Sequence, residues 1–151
     1  MRKSSIFIHA LLTGAVFLGA ASIFPGVQAA DDPLKVRKEG FDANKKAMGA
    51  IKKILEEGGD LSGIAAQAQS LNSFSKQVPA LFPAGSDKGE TKAKPAVWTN
   101  FADFTAKSQA FETETAKLVQ AVATGDKATI QKQFGAVGGT CKGCHDSYRA
   151  E

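Results

Sequence analysis

Reactive side chains are scarce in this chain of 151 residues, which holds two cysteines, two histidines, two methionines, one tryptophan and one tyrosine. Each scarcity excludes something. Structural zinc normally takes four ligands, and Cys141, Cys144 and His145 have no second ligand pair to join them. Charge of one sign is also lacking. The formal net charge is only +4, and the lysines are spread along the chain as on a solvated helix face, which does not indicate a nucleic-acid binder. Beyond the N-terminus no segment resembles a membrane span. There is no internal repeat, no long low-complexity tract and no convincing strand.

The first thirty residues differ from the rest. Arg2 and Lys3 precede an apolar run from about Ile6 to Phe24, which Pro25 and Gly26 break. Val27 and Ala29 then supply the small residues that signal peptidase requires. This pattern is that of a secretory leader, residues 1–29, removed on export to leave a chain from Ala30. The competing reading is a retained anchor, for which the run is barely long enough. Cleavage would remove His9 and leave one histidine. It would also take the charge to about +2. Residues 30–151 then form one domain with no membrane span, long enough to bury a core.

In that domain apolar residues recur three and four apart, the helical period. The first segment runs from about Pro33 to Glu57, with Asp32 as cap, Pro33 in its first turn and Gly58–Gly59 as its stop. Its stripe is Leu34, Arg37, Phe41, Asn44, Met48, Ile51 and Leu55. Asp60 can cap a second segment that ends near Pro79. A long loop, "ALFPAGSDKGETKAKP", follows. The third segment begins near Pro95. The fourth runs from about Lys127 to Arg149, with stripe Ile130, Phe134, Val137, Cys141, Cys144 and Tyr148. The fold class is all-α: an antiparallel four-helix bundle with a long crossover loop between helices 2 and 3.

The C-terminal "GGTCKGCHDSYRAE" holds both cysteines and His145. The two cysteines occupy consecutive positions on the fourth stripe, so what they bind lies against the bundle interior. A thioredoxin-type dithiol follows a strand and opens a helix. Here the pair ends a helix. A disulfide closing so small a ring stabilises little and suits helical geometry poorly. C-x-x-C-H is the attachment signature of c-type haem. Two thiols at this spacing match the two vinyl groups, and the next residue, His145, then sits beneath the iron as axial ligand. The cofactor expected is one haem c with its iron.

Four features together are similar to one family. They are the C-terminal "CKGCHDSYR", "KPAVW" opening the third helix, "LFP" before the crossover loop, and Arg37 followed by Phe41 as "R-x-x-x-F". On these the chain resembles the class II cytochromes c, and within them cytochrome c′, over essentially the whole exported domain. The resemblance implies a periplasmic four-helix haem protein, often a homodimer, with a five-coordinate iron that binds nitric oxide or carbon monoxide and exchanges electrons with an unidentified redox partner. It implies a binding protein rather than an enzyme. It places Cys141 and Cys144 at the thioether positions and His145 as the axial ligand. Arg149 matches the basic residue beside the proximal imidazole, Arg37 the arginine near the haem propionates, and Phe41 the apolar residue over the open face.

The residues support two of these roles on their own terms. Arg37 sits on an apolar stripe, where an unpaired charge is costly and a propionate would neutralise it. The competing reading is a snorkelling side chain. Arg149 lies one helical turn beyond His145, although a cation at a helix C-terminus needs no further role. Met48 opens an alternative: as sixth ligand it would give a low-spin electron carrier. Phe41 and Met48 are about 10 Å apart along the helix, so both cannot cover one iron. The register set by Arg37 favours Phe41. Catalysis such as peroxidase chemistry lacks a second histidine to act as general base. A bundle that only mediates protein association, with no cofactor, is the third class.

Overall fold

The computed structural model describes residues 32–151. The expected leader, residues 1–29, and His9 lie outside the described residues.

Helix α1 spans Pro33–Glu57, with the expected bounds and for the expected reasons. Asp32 Oδ1 accepts the Leu34 N–H at 3.0 Å, Pro33 opens the first turn, and Gly58 ends the helix in the left-handed region at φ 72°. Helix α2 spans Gly63–Ser75 and starts later than expected. Asp60 closes a turn instead of capping the helix: its carboxylate accepts both the Ser62 N–H (2.9 Å) and the Ser62 hydroxyl (2.6 Å). After Ser75 the ladder tightens, as Gln77 N–H bonds Phe74 O and Val78 N–H bonds Ser75 O. A 3₁₀ turn, Pro79–Leu81, then leads into the crossover loop.

The expected third helix is two pieces. A short helix α3, Ala96–Thr99, is separated from α4, Phe101–Ala123, by Asn100 at φ −127°, ψ 48°. Trp98 Nε1–H donates to Pro83 O at 3.0 Å, which ties α3 to the crossover loop. Gly125 (φ 68°) turns the chain, and Asp126 caps α5, Lys127–Tyr148. Arg149 is extended, not helical, and forms an antiparallel bridge with Ala93. Lys94 N–H bonds Tyr148 O (2.9 Å) and Ala150 N–H bonds Lys92 O (2.8 Å). The C-terminus is thus pinned to the crossover loop. Among the described residues this bridge is isolated and no strand forms.

The four long helices form an antiparallel bundle: α1 packs on α2, α2 on α4 and α4 on α5. Two apolar clusters fill its two ends. One holds Ile51, Leu55, Ile64, Leu71, Leu118, Ile130 and Val137. The other holds Val78, Phe82, Val97, Phe104 and Tyr148. Polar residues also pin α2 to α4. Thr115 Oγ1 accepts from Asn72 Nδ2 (3.2 Å) and lies 3.1 Å from Ser75 Oγ. Thr115 also has the Phe111 and Glu112 carbonyls for its own proton, so these buried groups are satisfied. No helix of the described residues is long and apolar enough to cross a membrane.

Candidate functional site

The bundle leaves one pair of neighbours without direct packing. Helices α1 and α5 make at most grazing backbone contact and meet through side chains that share the two apolar clusters. On α5, Cys141 packs against the first cluster and Cys144 against the second. Both are free thiols, half-buried and one turn apart. On α1, Met48 packs against the first cluster and Phe41 against the second. The seam between the clusters therefore runs between the two cysteines on one side and between Phe41 and Met48 on the other.

Burial pushes both thiols up from their ordinary value; for Cys144 the nearby Lys107 opposes this weakly. They are neutral near pH 7, the opposite of the activated thiolate that a redox dithiol uses. His145 is exposed. Its imidazole is pushed down by partial desolvation and then by the Arg149 charge, with Asp146 opposing. The neutral imidazole that results is the form that ligates a metal. Arg149 lies just past the end of α5, where its N–H donates to His145 O at 3.0 Å. It reaches His145 from a helix cap rather than from a helical face.

Arg37 is the most enclosed charge among the described residues, with 3% of its surface exposed. Nη1 donates to Leu81 O (3.3 Å) and Ser86 Oγ (3.2 Å), and Nη2 to Ser86 O (2.8 Å) and Thr91 Oγ1 (3.4 Å). The guanidinium carbon stacks 4.5 Å from the Phe82 ring centroid and 5.7 Å from that of Trp98. Two motifs singled out in the sequence, "LFP" and "KPAVW", thus converge on Arg37. All its acceptors are neutral, and it belongs to no ion pair among the described residues. Burial lowers its pKa from the usual arginine value. The Asp32 carboxylate opposes this from beyond ion-pair distance, and a buried cation with no paired carboxylate fits a group that brings one.

Phe41 stands edge-on to Phe74, centroids 5.1 Å apart, and 6.5 Å from Phe82. Between Phe41 and Met48 lies Asn44, buried, with its Oδ1 unpartnered. The sequence places Asn44 on the stripe but gives it no role. Its only signal is a polar residue where the period demands an apolar one.

The residues present fit a covalently held iron porphyrin. Two thiols one turn apart can form two thioethers, one imidazole can supply a single axial ligand, and a buried guanidinium can pair with a carboxylate. No cluster of three or more His, Cys, Asp or Glu side chains among the described residues is placed to hold a metal by itself. A groove of about 650 Å³ lined by Phe82, Pro83, Trp98 and Phe101 lies on the crossover-loop side and includes neither cysteine nor His145.

The chain is similar to known proteins over most of its length. The family model described as cytochrome C′ matches residues 32–149. Cytochrome c′ of Rhodospirillum rubrum is 36% identical over 140 residues, covering 89% of this chain and 94% of that protein. Among solved structures, the nitric oxide complex of a mutant cytochrome c prime from Alcaligenes xylosoxidans superposes with a TM-score of 0.72 at 30% identity, covering 79% of this chain and 94% of the other. A cytochrome c′ with an unusual ligand-controlled dimer dissociation superposes with a TM-score of 0.78 at 27% identity, covering 83% of this chain and 100% of the other.

Proposed function

The chain belongs to the cytochrome c′ family, and from that premise we propose that it is an exported haem protein whose iron keeps one face open to nitric oxide and carbon monoxide and exchanges electrons with a redox partner. The family's cofactor is a c-type haem. Cys141 and Cys144 hold it through thioethers, His145 ligates the iron, and Arg37 receives a propionate. When bound, the haem supplies a redox-active iron with a site for a neutral diatomic.

The observation that carries this reading is the position of Phe41. It shares an apolar cluster with Cys144, the residue joined to His145, whereas Met48 packs with Cys141 a turn away. Phe74 and Phe82 hold the Phe41 ring from two sides. An apolar lid admits a small neutral gas, which needs no polar partner to enter, and disfavours anions and larger ligands by desolvation. Partial desolvation, and after it the Arg149 charge, keeps the His145 imidazole neutral and available to the metal.

The test is the absorption spectrum of the purified holoprotein, oxidised, reduced, and reduced under carbon monoxide. A high-spin reduced Soret band that shifts with carbon monoxide is the expected result. Sharp low-spin bands indifferent to the gas would overturn the open face and turn the protein into an electron carrier with Met48 as sixth ligand.

The reading extends to place and assembly. Export to the periplasm follows from the leader expected in residues 1–29, and detection of the protein only in the cytoplasm would refute it. A homodimer is supported by the dimer of the similar structure. Sedimentation as a monomer at high concentration, with and without carbon monoxide, would remove it. The role is binding and electron exchange rather than catalysis, and peroxide turnover well above that of free haem would contradict it.

A further inference from the structure

Asn44 occupies the middle of the buried face of α1, between Arg37 and Ile51, and only 8% of its surface is exposed. Its Oδ1 is enclosed and accepts no hydrogen bond, alone in this among buried side-chain polar atoms of the described residues. The other buried polar side chains are answered: Arg37 by the crossover loop, Ser75 and Thr115 by each other, Ser108 by Phe104 O. Asparagine is a poor helix former, and an unanswered buried acceptor is costly. Asn44 therefore brings two local penalties with no return from the protein itself.

Its place suggests where the return comes from. Phe41, one turn earlier, belongs to one apolar cluster, and Ala47 and Met48, one turn later, belong to the other. Asn44 lies at the seam, and on α5 the same seam falls between Cys141 and Cys144. Neither a propionate nor a diatomic has a proton to give Oδ1, so a water answers it directly, and an N–H meets an oxygen only when the carboxamide turns. The buried cation that fits a propionate is Arg37, about 10 Å away along the helix.

We propose that Asn44 is the polar group of the open face, and that its carboxamide hydrogen-bonds the small molecule that binds there. This rests on the open-iron reading above and deepens it. The carboxamide offers an acceptor, Oδ1, to a water and two N–H donors to the oxygen end of a diatomic, and a half-turn of its terminal torsion exchanges them. Phe41 then sets which molecules enter, and Asn44 how strongly they are held.

Infrared spectroscopy of the reduced carbon monoxide complex tests this on the full holoprotein, because an N–H donor at the oxygen end lowers the C–O stretch. Asn44→Leu should raise that stretch and speed carbon monoxide release about three- to tenfold, the net worth of one hydrogen bond. In the wild type the stretch should also shift between H₂O and D₂O, since the amide protons exchange, and in Asn44→Leu it should not. A stretch unmoved by both the substitution and D₂O overturns the proposal while leaving the open iron intact. If Asn44→Leu fails to assemble, the D₂O comparison on the wild type decides alone. Failure of the wild type to bind carbon monoxide at all would refute the open iron, and this proposal with it, and is distinguishable from binding with an unmoved stretch.

Discussion

Gly40 is where packing and the candidate site meet. A Cβ built on it would lie 1.9 Å from Phe74 Cε2, so an alanine forces the ring back by roughly 1.5–2 Å to ordinary contact. Alanine gains about 1 kcal/mol over glycine in a helix interior. Against this stand about 1–3 kcal/mol for overpacking. A further ~1 kcal/mol is lost as the edge-to-face pair of Phe74 with Phe41 loosens. The control lies on the same helix: nothing stands within 4 Å of a Cβ at Gly49, so Gly49→Ala keeps the gain and meets no cost. The two variants should differ by about 2–4 kcal/mol, or roughly 6–16 °C in thermal midpoint for a domain this size. Gly49→Ala should lie above the wild type and Gly40→Ala below it. Far-ultraviolet circular dichroism melts of the holoproteins measure this. Equal midpoints for the two alanine variants would refute the reasoning, since they would mean that the Phe74 ring does not occupy the space beside Gly40.

Other consequences follow from the same geometry. Phe41→Ala removes the lid and should speed carbon monoxide association about tenfold or more, ~1.4 kcal/mol off the barrier; an unchanged stopped-flow rate would remove Phe41 from the open face. Tyr148, the sole tyrosine, donates to Asp103 and has its phenol pushed up to about 12 by that bond, then by burial. Because the folded pKa exceeds the unfolded one, near 10, its contribution to stability is complete below about pH 10 and fades as pH rises through about 12. Ultraviolet difference titration, with Tyr148→Phe as blank, should show ionisation near pH 12, and Asp103→Asn should bring it back toward 10. Intact mass under denaturing conditions should show one retained haem on a chain beginning at Ala30; a bare polypeptide, or a Cys141–Cys144 disulfide, would contradict the thioether assignment.

Much of this was legible in the sequence where the cause is local. The bounds of α1 follow from Asp32, Pro33 and Gly58, each acting within a few residues of itself. Cys141, Cys144 and His145 form one contiguous signature, so their placement on one turn of α5 needs only the helix. Elements decided by distant contacts, or by a choice between two local ones, were not legible. Asp60 could cap a helix or close a turn, and the choice of Ser62 as its partner moved the start of α2. The break at Asn100 carries no proline or glycine; it accompanies the Trp98–Pro83 bond, fifteen positions apart. Arg37 stood out as a charge on an apolar stripe, but the groups that hold it lie 44 to 54 positions away. Asn44 was only one member of the first stripe, since its lack of a partner is visible only once every neighbour is placed.

The central claim is that Phe41 and not Met48 covers the iron. The most direct test is the reduced absorption spectrum of Met48→Leu beside that of the wild type. If the account holds, both are high-spin, superimposable, and shifted alike by carbon monoxide, because Met48 only fills the apolar cluster beside Cys141. A wild type that is low-spin and blind to carbon monoxide, becoming high-spin and responsive when Met48 is replaced, would contradict it.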